Sequence, residues 1–597
     1  MRLHAAERVF AWLLGRSGRG GARTGRSSLG LARFGRSAIG PDRTACSSLE
    51  PARADRAPFA EAPFYAVALF AAALCALRLL HAAPYAASWD AVDFALALDR
   101  FDLLAMQPHF PGYPYFILAA KALLPLIGDP VAALSAVGAF GIASAALPMY
   151  ALMRSTIPPK PAAVAAALAQ ASAYVGLAAA MPMSEAFAVT LLWWFAWSAY
   201  AAWTSPRYGV RLLPAFAFGL LMGVRLSYLA FGLLLAPLLL REASSGRRGA
   251  TARALGFAAA AVASQLLWVA ALVATEGSVV GFAQLSFEFA KGHFTEWGGA
   301  ATADASIPFV ARLVRLVVYN YVWIGLCGAS AWNAISLAIA AGAVMLAYAG
   351  RMKRGRDGAK GSADGGSAPA SGRSAPASGA GAEASDAANG AIADATAGAS
   401  ASGRLPAPLL WGLAACAAYF LWALFAQNVD KPRHILPLVG PALWLVVAAL
   451  WRASPAGRRR VFWAVSAAAL LAQTLTGAQL LRVLKTETPA VVQLHRHMES
   501  VDAPFLLFTW EETRVLQGLG AEYPHKRVFT YELAEEERRA RPERDVYVTD
   551  KVLEGFERQR PGASAEFAPV ATFRSDAVVE PVYHEITLYE WRKAESP

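Results

Sequence analysis

The chain has 597 residues, of which 56% are hydrophobic and only 16% are charged. Soluble domains carry about 25% charged residues, so this composition excludes a water-soluble fold and indicates a polytopic membrane protein. The formal net charge of +12 at pH 7 is concentrated in stretches such as GRMKRGR and GRRR, which are typical of cytoplasmic flanks, and no nucleic-acid partner is expected.

Residues 1–60 are rich in arginine, lack the apolar core and cleavage site of a secretory signal, and are predicted to be a disordered cytoplasmic N-terminus. Eleven apolar windows follow and predict about eleven membrane segments. They lie at about 63–82, 131–152, 163–181, 186–203, 213–226, 229–240, 254–275, 332–350, 408–426, 435–452 and 461–481.

The windows at 213–226 and 229–240 are each too short to span a bilayer, so they are predicted to form a helical hairpin that enters the membrane and returns. With the basic connectors on the cytoplasmic side, outer loops are expected at 83–130 and 276–330. Two apolar stretches in these loops, YPYFILAAKALLPLIG and IPFVARLVRLVVYNYVWIG, are predicted to lie in the membrane interface, with Arg312 and Arg315 sharing one polar face.

The predicted domains are a membrane module at 61–350, a flexible cytoplasmic linker at 351–407, further membrane helices at 408–481 and an extracytoplasmic domain at 482–597. The linker is rich in Gly, Ala, Ser and Pro and cannot form a core. The last domain is predicted to be a small α/β unit. APFLLFTW, RDVYVTD and ITLYEWRK indicate strands, and EETRVLQGLG and KVLEGFERQR indicate helices.

Acidic residues follow the first apolar window in SWDAVDFALALDRFD. Asp99 and Asp102 suit the solvated face of a surface helix. Asp90 follows a tryptophan and precedes apolar residues, an environment suited to a general base, although a solvated acid is the alternative. The next segment, QPHFPGYP, contains His109 and Tyr113 between three prolines that impose an extended turn. A stiff connector is the alternative for this segment.

An acid just after the first membrane helix, followed by a Pro-rich aromatic segment, resembles the GT-C superfamily of membrane glycosyltransferases. The resemblance is to the bacterial group that includes the protein mannosyltransferases and aminoarabinose transferases. It implies that Asp90 is the catalytic carboxylate and that PHFPGYPYF corresponds to the family's HPPLYY-like segment. The family often has a second acid next to the first. Ala91 stands there in this chain, and Asp93 is the nearest substitute.

Other residues fit the same resemblance. Glu185, in MPMSEAF, matches a second acidic position of such enzymes, with a helix N-terminal acid as the alternative. Arg225 lies at the tip of the predicted hairpin and would bind a lipid phosphate, or else extend to the membrane surface. In QNVDKPRHILP, Lys431, Arg433 and His434 could neutralise a phosphate leaving group. A surface cluster, with Asp430 pairing with Lys431, is the alternative.

The second outer loop contains SFEFAKGHFTEWGG. His293 and Trp297 are predicted to line a loop that closes over a sugar. His293 with Glu288 or Glu296 could bind a divalent cation, although no fixed ligand spacing supports a metal. The four cysteines of the chain show no metal or disulfide spacing, and no cofactor is assigned.

The resemblance implies an inverting transfer of a sugar from a polyprenyl-phosphate donor to an acceptor, which can be a lipid, a glycan or a protein. The site is expected on the outer face of the cytoplasmic (inner) membrane, with membrane lipid as a partner. A transporter would show inverted repeats and polar residues at the bilayer midplane. A non-catalytic assembly protein would scatter the candidate residues, so the distances among Asp90, Glu185, Arg225 and Arg433 discriminate between these functions.

Overall fold

The structure, a computed structural model, describes residues 61–244, 249–303, 307–363 and 407–592. The predicted disorder of residues 1–60 and of residues 364–406 in the linker lies outside this part of the chain. The predicted start of the linker at residue 351 is not supported, because the helix Ala331–Ala363 continues through the basic stretch after the apolar window. Lys and Arg are good helix formers, and an established helix extends at little cost.

Ten helical segments in the described residues are long and apolar enough to cross a membrane, by length and composition. They are Ala62–Leu80, Pro130–Arg154, Ser184–Thr204, Leu226–Ala243, Ala250–Glu276, Phe309–Leu326, Ala331–Gly350, Pro408–Ala426, Pro432–Ala453 and Arg459–Glu499. Shorter helices complete the membrane part: Trp89–Asp99, Pro114–Ile127, Pro159–Ala171, Ala173–Ala178, Tyr208–Met222 and Val279–Thr295. The predicted class, an α-helical polytopic membrane protein with a small C-terminal α/β domain, is confirmed.

The predicted segments differ from the observed ones in two places. The window at 163–181 is not one helix, because the chain breaks at Ser172, where the backbone turns away from helical angles. The Gln473 side chain accepts from the Ala173 backbone N–H at 2.9 Å and caps the second piece. Such a tertiary cap leaves no signal in an apolar window.

The segment Phe309–Leu326 is long and apolar enough to span, so the interfacial placement predicted for it is not supported. Its two arginines do not share a role. Arg312 is buried and donates to the backbone carbonyls of Gly299, Leu424 and Gln427. Arg315 is half exposed and pairs with Asp430 at 2.9 Å. Buried guanidinium groups need several acceptors, and these carbonyls provide them.

The predicted hairpin stays a prediction, because its second arm, Leu226–Ala243, is itself long and apolar enough to cross a membrane. The helix Tyr208–Met222 ends at Gly223, and a 3-10 helix, Leu226–Leu235, followed by the helix Ala236–Ala243, leads the chain away. Arg225 lies in the turn between the two arms, as predicted. Its position brings a cation to one end of the helical bundle.

Small residues allow the membrane helices to approach closely. A Cβ on Gly138 would lie 2.8 Å from the backbone oxygen of Ala179, and one on Gly440 would lie 2.7 Å from the Trp193 ring. Helices inside a bilayer lack a hydrophobic driving force between them, so close contact of this kind stabilises the bundle.

The helix Arg459–Thr486 leads out of the bundle into the C-terminal domain, which begins with the helix Ala490–Glu499. Its five strands are β1 (Phe505–Thr509), β2 (His525–Arg527), β3 (Asp545–Thr549), β4 (Phe567–Arg574) and β5 (Glu585–Trp591). The strand order is β2-β1-β3-β5-β4. Strand β1 pairs in parallel with β2 and β3, whereas β5 pairs antiparallel with β3 and β4. The helices Glu512–Gly518, Tyr531–Arg539 and Asp550–Gln559 connect the strands.

Candidate active site

A cavity of about 1020 Å³ lies where one end of the helical bundle meets the C-terminal domain. Its walls come from residues just beyond the first membrane helix, from the starts or ends of several other helices, and from the C-terminal sheet domain. The polar side chains that line the cavity therefore come from segments that are far apart in the sequence.

Asp90 lies in the first turn of the helix Trp89–Asp99, whose N-cap Ser88 accepts from the Ala91 backbone N–H. Its carboxylate accepts a hydrogen bond from Arg433, 343 residues away in the chain. Burial would raise the pKa of Asp90, but nearby positive charge, chiefly that of Arg433, outweighs burial and holds this pKa well below its usual range. Asp90 is therefore ionised at neutral pH.

Glu185 supplies a carboxylate to the same part of the cavity wall as Asp90. It lies in the first turn of the helix Ser184–Thr204 and is only 2% exposed. Its Oε1 atom lies 2.8 Å from the Arg225 guanidinium and 2.9 Å from Nε of Arg433. Arg225 also donates to Ser184 Oγ at 3.0 Å. Arg433 therefore joins the two acids, and the four charged groups form one network.

The Pro-rich segment folds as a tight turn with cis peptide bonds before Pro108 and Pro111. Gly112 has a φ of +89°, and a Cβ there would lie 2.9 Å from Leu272, so the turn requires glycine. The turn directs His109 and Tyr113 into the cavity, where His109 Nε2 lies 3.0 Å from the Tyr113 hydroxyl and 4.0 Å from Asp90 Oδ1. Phe94 packs edge-on against the Tyr113 ring at 4.8 Å and holds it in place.

Asp93 does not occupy the place predicted for it. Its side chain is fully buried and does not line the cavity, so its prediction as a second catalytic acid is not supported by its position. It accepts from His109 Nδ1 at 3.0 Å and from Arg514 Nε at 2.7 Å. Burial raises the pKa of Asp93, and these two donors oppose the increase. His109 therefore bridges Asp93, through Nδ1, and the Tyr113 hydroxyl, through Nε2.

The segment predicted to carry basic residues contributes Lys431 and His434 to the cavity wall in addition to Arg433. The alternative pairing of Asp430 with Lys431 is not observed, because Asp430 pairs with Arg315. The backbone carbonyl of His434 accepts from the Tyr419 hydroxyl at 2.7 Å, which fixes the start of this helix. Positive charge is thereby held at the cavity on a rigid element.

The segment 276–330, predicted to be the second outer loop, contributes His293 and Trp297 to the cavity wall. His293 Nε2 donates to the backbone carbonyl of Ala426 at 2.8 Å, and Trp297 is half exposed and packs edge-on against Phe289 at 4.8 Å. Glu288 pairs with Lys291 instead of His293. In the part of the chain that the structure describes, no group of three or more His, Cys, Asp or Glu side chains is arranged to hold a metal ion.

Sequence reasoning missed the contribution of the C-terminal domain. Arg514 binds Asp93 and also donates to the carbonyls of Ala105 and Met106, between the helices Trp89–Asp99 and Pro114–Ile127. Arg527 lines the cavity beside the aromatic rings of Trp89 and Trp510. None of these residues belongs to a recognisable local motif. Only the aromatic and basic composition of this wall could have indicated a ligand-facing surface.

No family model and no curated protein matches the chain. Among solved structures, it is similar to ArnT from Cupriavidus metallidurans bound to undecaprenyl phosphate, at 10% identity and a TM-score of 0.47, over 89% of this chain and 98% of that one. The apo state of the same ArnT gives 12% identity and a TM-score of 0.45 over the same shares. The apo form of the oligosaccharyltransferase from Archaeoglobus fulgidus gives 12% identity and a TM-score of 0.42, over 82% of this chain and 69% of that one.

Proposed function

We propose that this protein transfers a sugar from a polyprenyl-phosphate-linked donor to an acceptor hydroxyl, with inversion, at the outer face of the cytoplasmic membrane. The observation that carries the proposal is the meeting of Asp90 with Arg225 and Arg433 in one cavity beside the helix ends. A hydroxyl nucleophile requires a proton acceptor, and a departing phosphate requires positive charge. The acceptor is a lipid, a glycan or a protein.

In the proposed reaction, the acceptor oxygen attacks the anomeric carbon as its proton passes to Asp90. The bond between the anomeric carbon and the phosphate oxygen breaks on the opposite face, and its electron pair stays with the polyprenyl phosphate. Arg225, Arg433 and Lys431 neutralise that leaving group. Because the phosphate is a stable anion, the protein has chiefly to position the two substrates and stabilise charge.

Arg433 links the two halves of this mechanism. While it binds Asp90, the carboxylate is a weak proton acceptor, because its pKa lies below the usual range. A donor phosphate competes for the same guanidinium. Binding of the donor phosphate would withdraw Arg433 from Asp90 and so raise the basicity of the Asp90 carboxylate. Asp90 would therefore become a stronger base only when the donor is bound. Glu185 remains to hold Arg225 and Arg433 in position.

Two alternatives fit the geometry less well. A non-catalytic assembly protein has no need for convergent charges, yet Arg433 contacts both Asp90 and Glu185. A transporter would bind its substrate between helices near the bilayer midplane. Here the cavity is walled by loops, by helix ends and by a sheet domain. This placement favours an enzyme that acts at the membrane surface.

The test is the transfer of radiolabelled sugar from polyprenyl phosphate in membranes containing the full chain or its Asp90→Asn variant. We expect Asp90→Asn to lower the transfer rate by about 10²- to 10⁴-fold, because it removes a general base, with little change in donor binding. Asp99→Asn is the matched control, since Asp99 is exposed on the same helix and lies outside the cavity lining. Transfer by a folded Asp90→Asn variant at more than a tenth of the wild-type rate would contradict the proposal.

A further inference from the structure

A second cationic position lies in the wall that the C-terminal domain contributes. Arg527, at the end of β2, lies over three aromatic rings, with centroids 4.3 Å away for Trp510, 4.9 Å for Phe529 and 5.1 Å for Trp89. We name these four residues the arginine cage. All four line the cavity. Trp89 directly precedes Asp90, so the cage adjoins the proposed base.

Two donors of the arginine cage are buried and unsatisfied. Arg527 Nε and Trp89 Nε1 are buried and have no hydrogen-bond partner among the described residues. Over the same part of the chain, no carboxylate lies within 4.0 Å of the Arg527 guanidinium, and Glu511 and Glu512 act on it only over longer distances. The other two cavity arginines, Arg225 and Arg433, are both paired with acids. Buried donors and charges are normally paired, and those that are not indicate a site for an absent acceptor.

The chemistry of the cage indicates the class of ligand. A guanidinium between aromatic rings keeps its planar edge free for two parallel hydrogen bonds to an oxyanion. The indole N–H of Trp89 adds a donor in the same wall, and the exposed Phe529 ring offers an apolar face. The helix Trp89–Asp99 also begins here, and its N-terminus favours negative charge.

We propose that the arginine cage is a subsite for an oxyanion, a phosphate or a carboxylate, that belongs to the acceptor. This inference rests on the proposed function for the identity of the ligand as an acceptor. The donor phosphate binds the cationic side chains around Arg433. The cage binds a second anion beside Trp89, the residue that precedes Asp90. An acceptor anchored in this way presents its hydroxyl to the carboxylate of Asp90.

The test uses the full chain in nanodiscs with polyprenyl phosphate at saturation, so that the donor cations are occupied. Binding of radiolabelled inorganic phosphate is measured by equilibrium dialysis at constant ionic strength, and acetate is added as a competitor in a parallel series. We expect one phosphate to bind to the wild type. Strong competition by acetate assigns the subsite to a carboxylate, and weak competition assigns it to a phosphate.

Arg527→Gln is expected to weaken phosphate binding by about tenfold to a hundredfold, since two charge-assisted hydrogen bonds are lost. Arg527→Lys retains the charge but not the planar guanidinium, so its phosphate affinity should lie between those of the wild type and Arg527→Gln. Trp89→Phe keeps an aromatic ring but removes the indole N–H donor, so it should weaken phosphate binding by about fivefold. Arg538→Gln is the matched control, because Arg538 stacks on Trp591 at 4.6 Å in the same domain but outside the cavity.

Phosphate binding by Arg527→Gln equal to that of the wild type, or no phosphate binding by the wild type, would overturn the subsite. Saturation with polyprenyl phosphate is verified for every variant and shows that the variants are folded. If transfer depends on Asp90 while the cage binds nothing, only this inference fails. If phosphate binding depends on Arg527 while no sugar is transferred, the anion site stands and the proposed function fails.

Discussion

Replacing Arg514 with leucine is expected to disconnect the C-terminal domain from the loop that positions His109. Arg514 donates to the fully buried carboxylate of Asp93 at 2.7 Å and to the carbonyl of Met106 at 2.9 Å. Removing one partner of a buried ion pair costs about 3–5 kcal/mol, because the other charge remains in a poorly solvating environment. Protonation of Asp93 would remove part of this cost. We therefore expect the free energy of unfolding to fall by about 3 kcal/mol, the lower end of this range.

A double-mutant cycle isolates the contact between the two domains. The free energy of unfolding is measured in mixed micelles for the wild type, Arg514→Leu, Asp93→Asn and the double variant. Because Asp93→Asn removes the charge that Arg514 stabilises, the double variant should lose less than the sum of the single losses. Directly contacting residues show coupling of about 0.5–3 kcal/mol. Additive losses, with coupling below about 0.5 kcal/mol, would refute this account of Arg514 and Asp93.

Two further predictions concern pH and the segment around Gly299. Burial raises the pKa of Glu512 from 4.5 to about 7. Its protonated form is therefore favoured in the folded state, and stability should fall as pH rises from about 4.5 through about 7. Glu512→Gln should flatten the pH dependence of the free energy of unfolding, and an unchanged slope would contradict this assignment. Arg312→Met removes the donor to the carbonyls of Gly299, Leu424 and Gln427. We expect faster hydrogen exchange at residues 296–303 by at least about fivefold, since each lost hydrogen bond is worth about 1 kcal/mol. Arg315→Met serves as the control, because Arg315 is half exposed. Equal exchange rates in the two variants would contradict a stabilising role for the hydrogen bonds from Arg312 to these carbonyls.

The positions of the cavity residues could be predicted where local signals were sufficient. Asp90 and Glu185 each lie in the first turn of a helix, and Arg433 lies at the start of another. Apolar windows locate helix ends, and the basic connectors predict which ends share a side of the membrane. Residues at these ends were therefore expected to converge, although the individual contacts with Arg433 were not predicted.

Other features depend on contacts that leave no local pattern. Asp93 lies only three residues from Asp90, so the sequence offered it as a second catalytic acid. Its actual partner, Arg514, is 421 residues away and comes from a different domain. The break at Ser172 is similar, because its compensating cap is Gln473 on another helix. Periodicity and composition report on burial, but they do not report which distant side chain supplies a hydrogen bond.

The shared wall of the cavity has a consequence for biosynthesis. Lining residues extend from Ala83, just after the first membrane helix, to Tyr583, next to the final strand. During translation, the bundle can insert while the ribosome is still adding the sheet, but the pocket stays open on one side until that late sequence has emerged and docked. A nascent chain therefore gains its complete binding surface only after residues as late as Tyr583 have emerged.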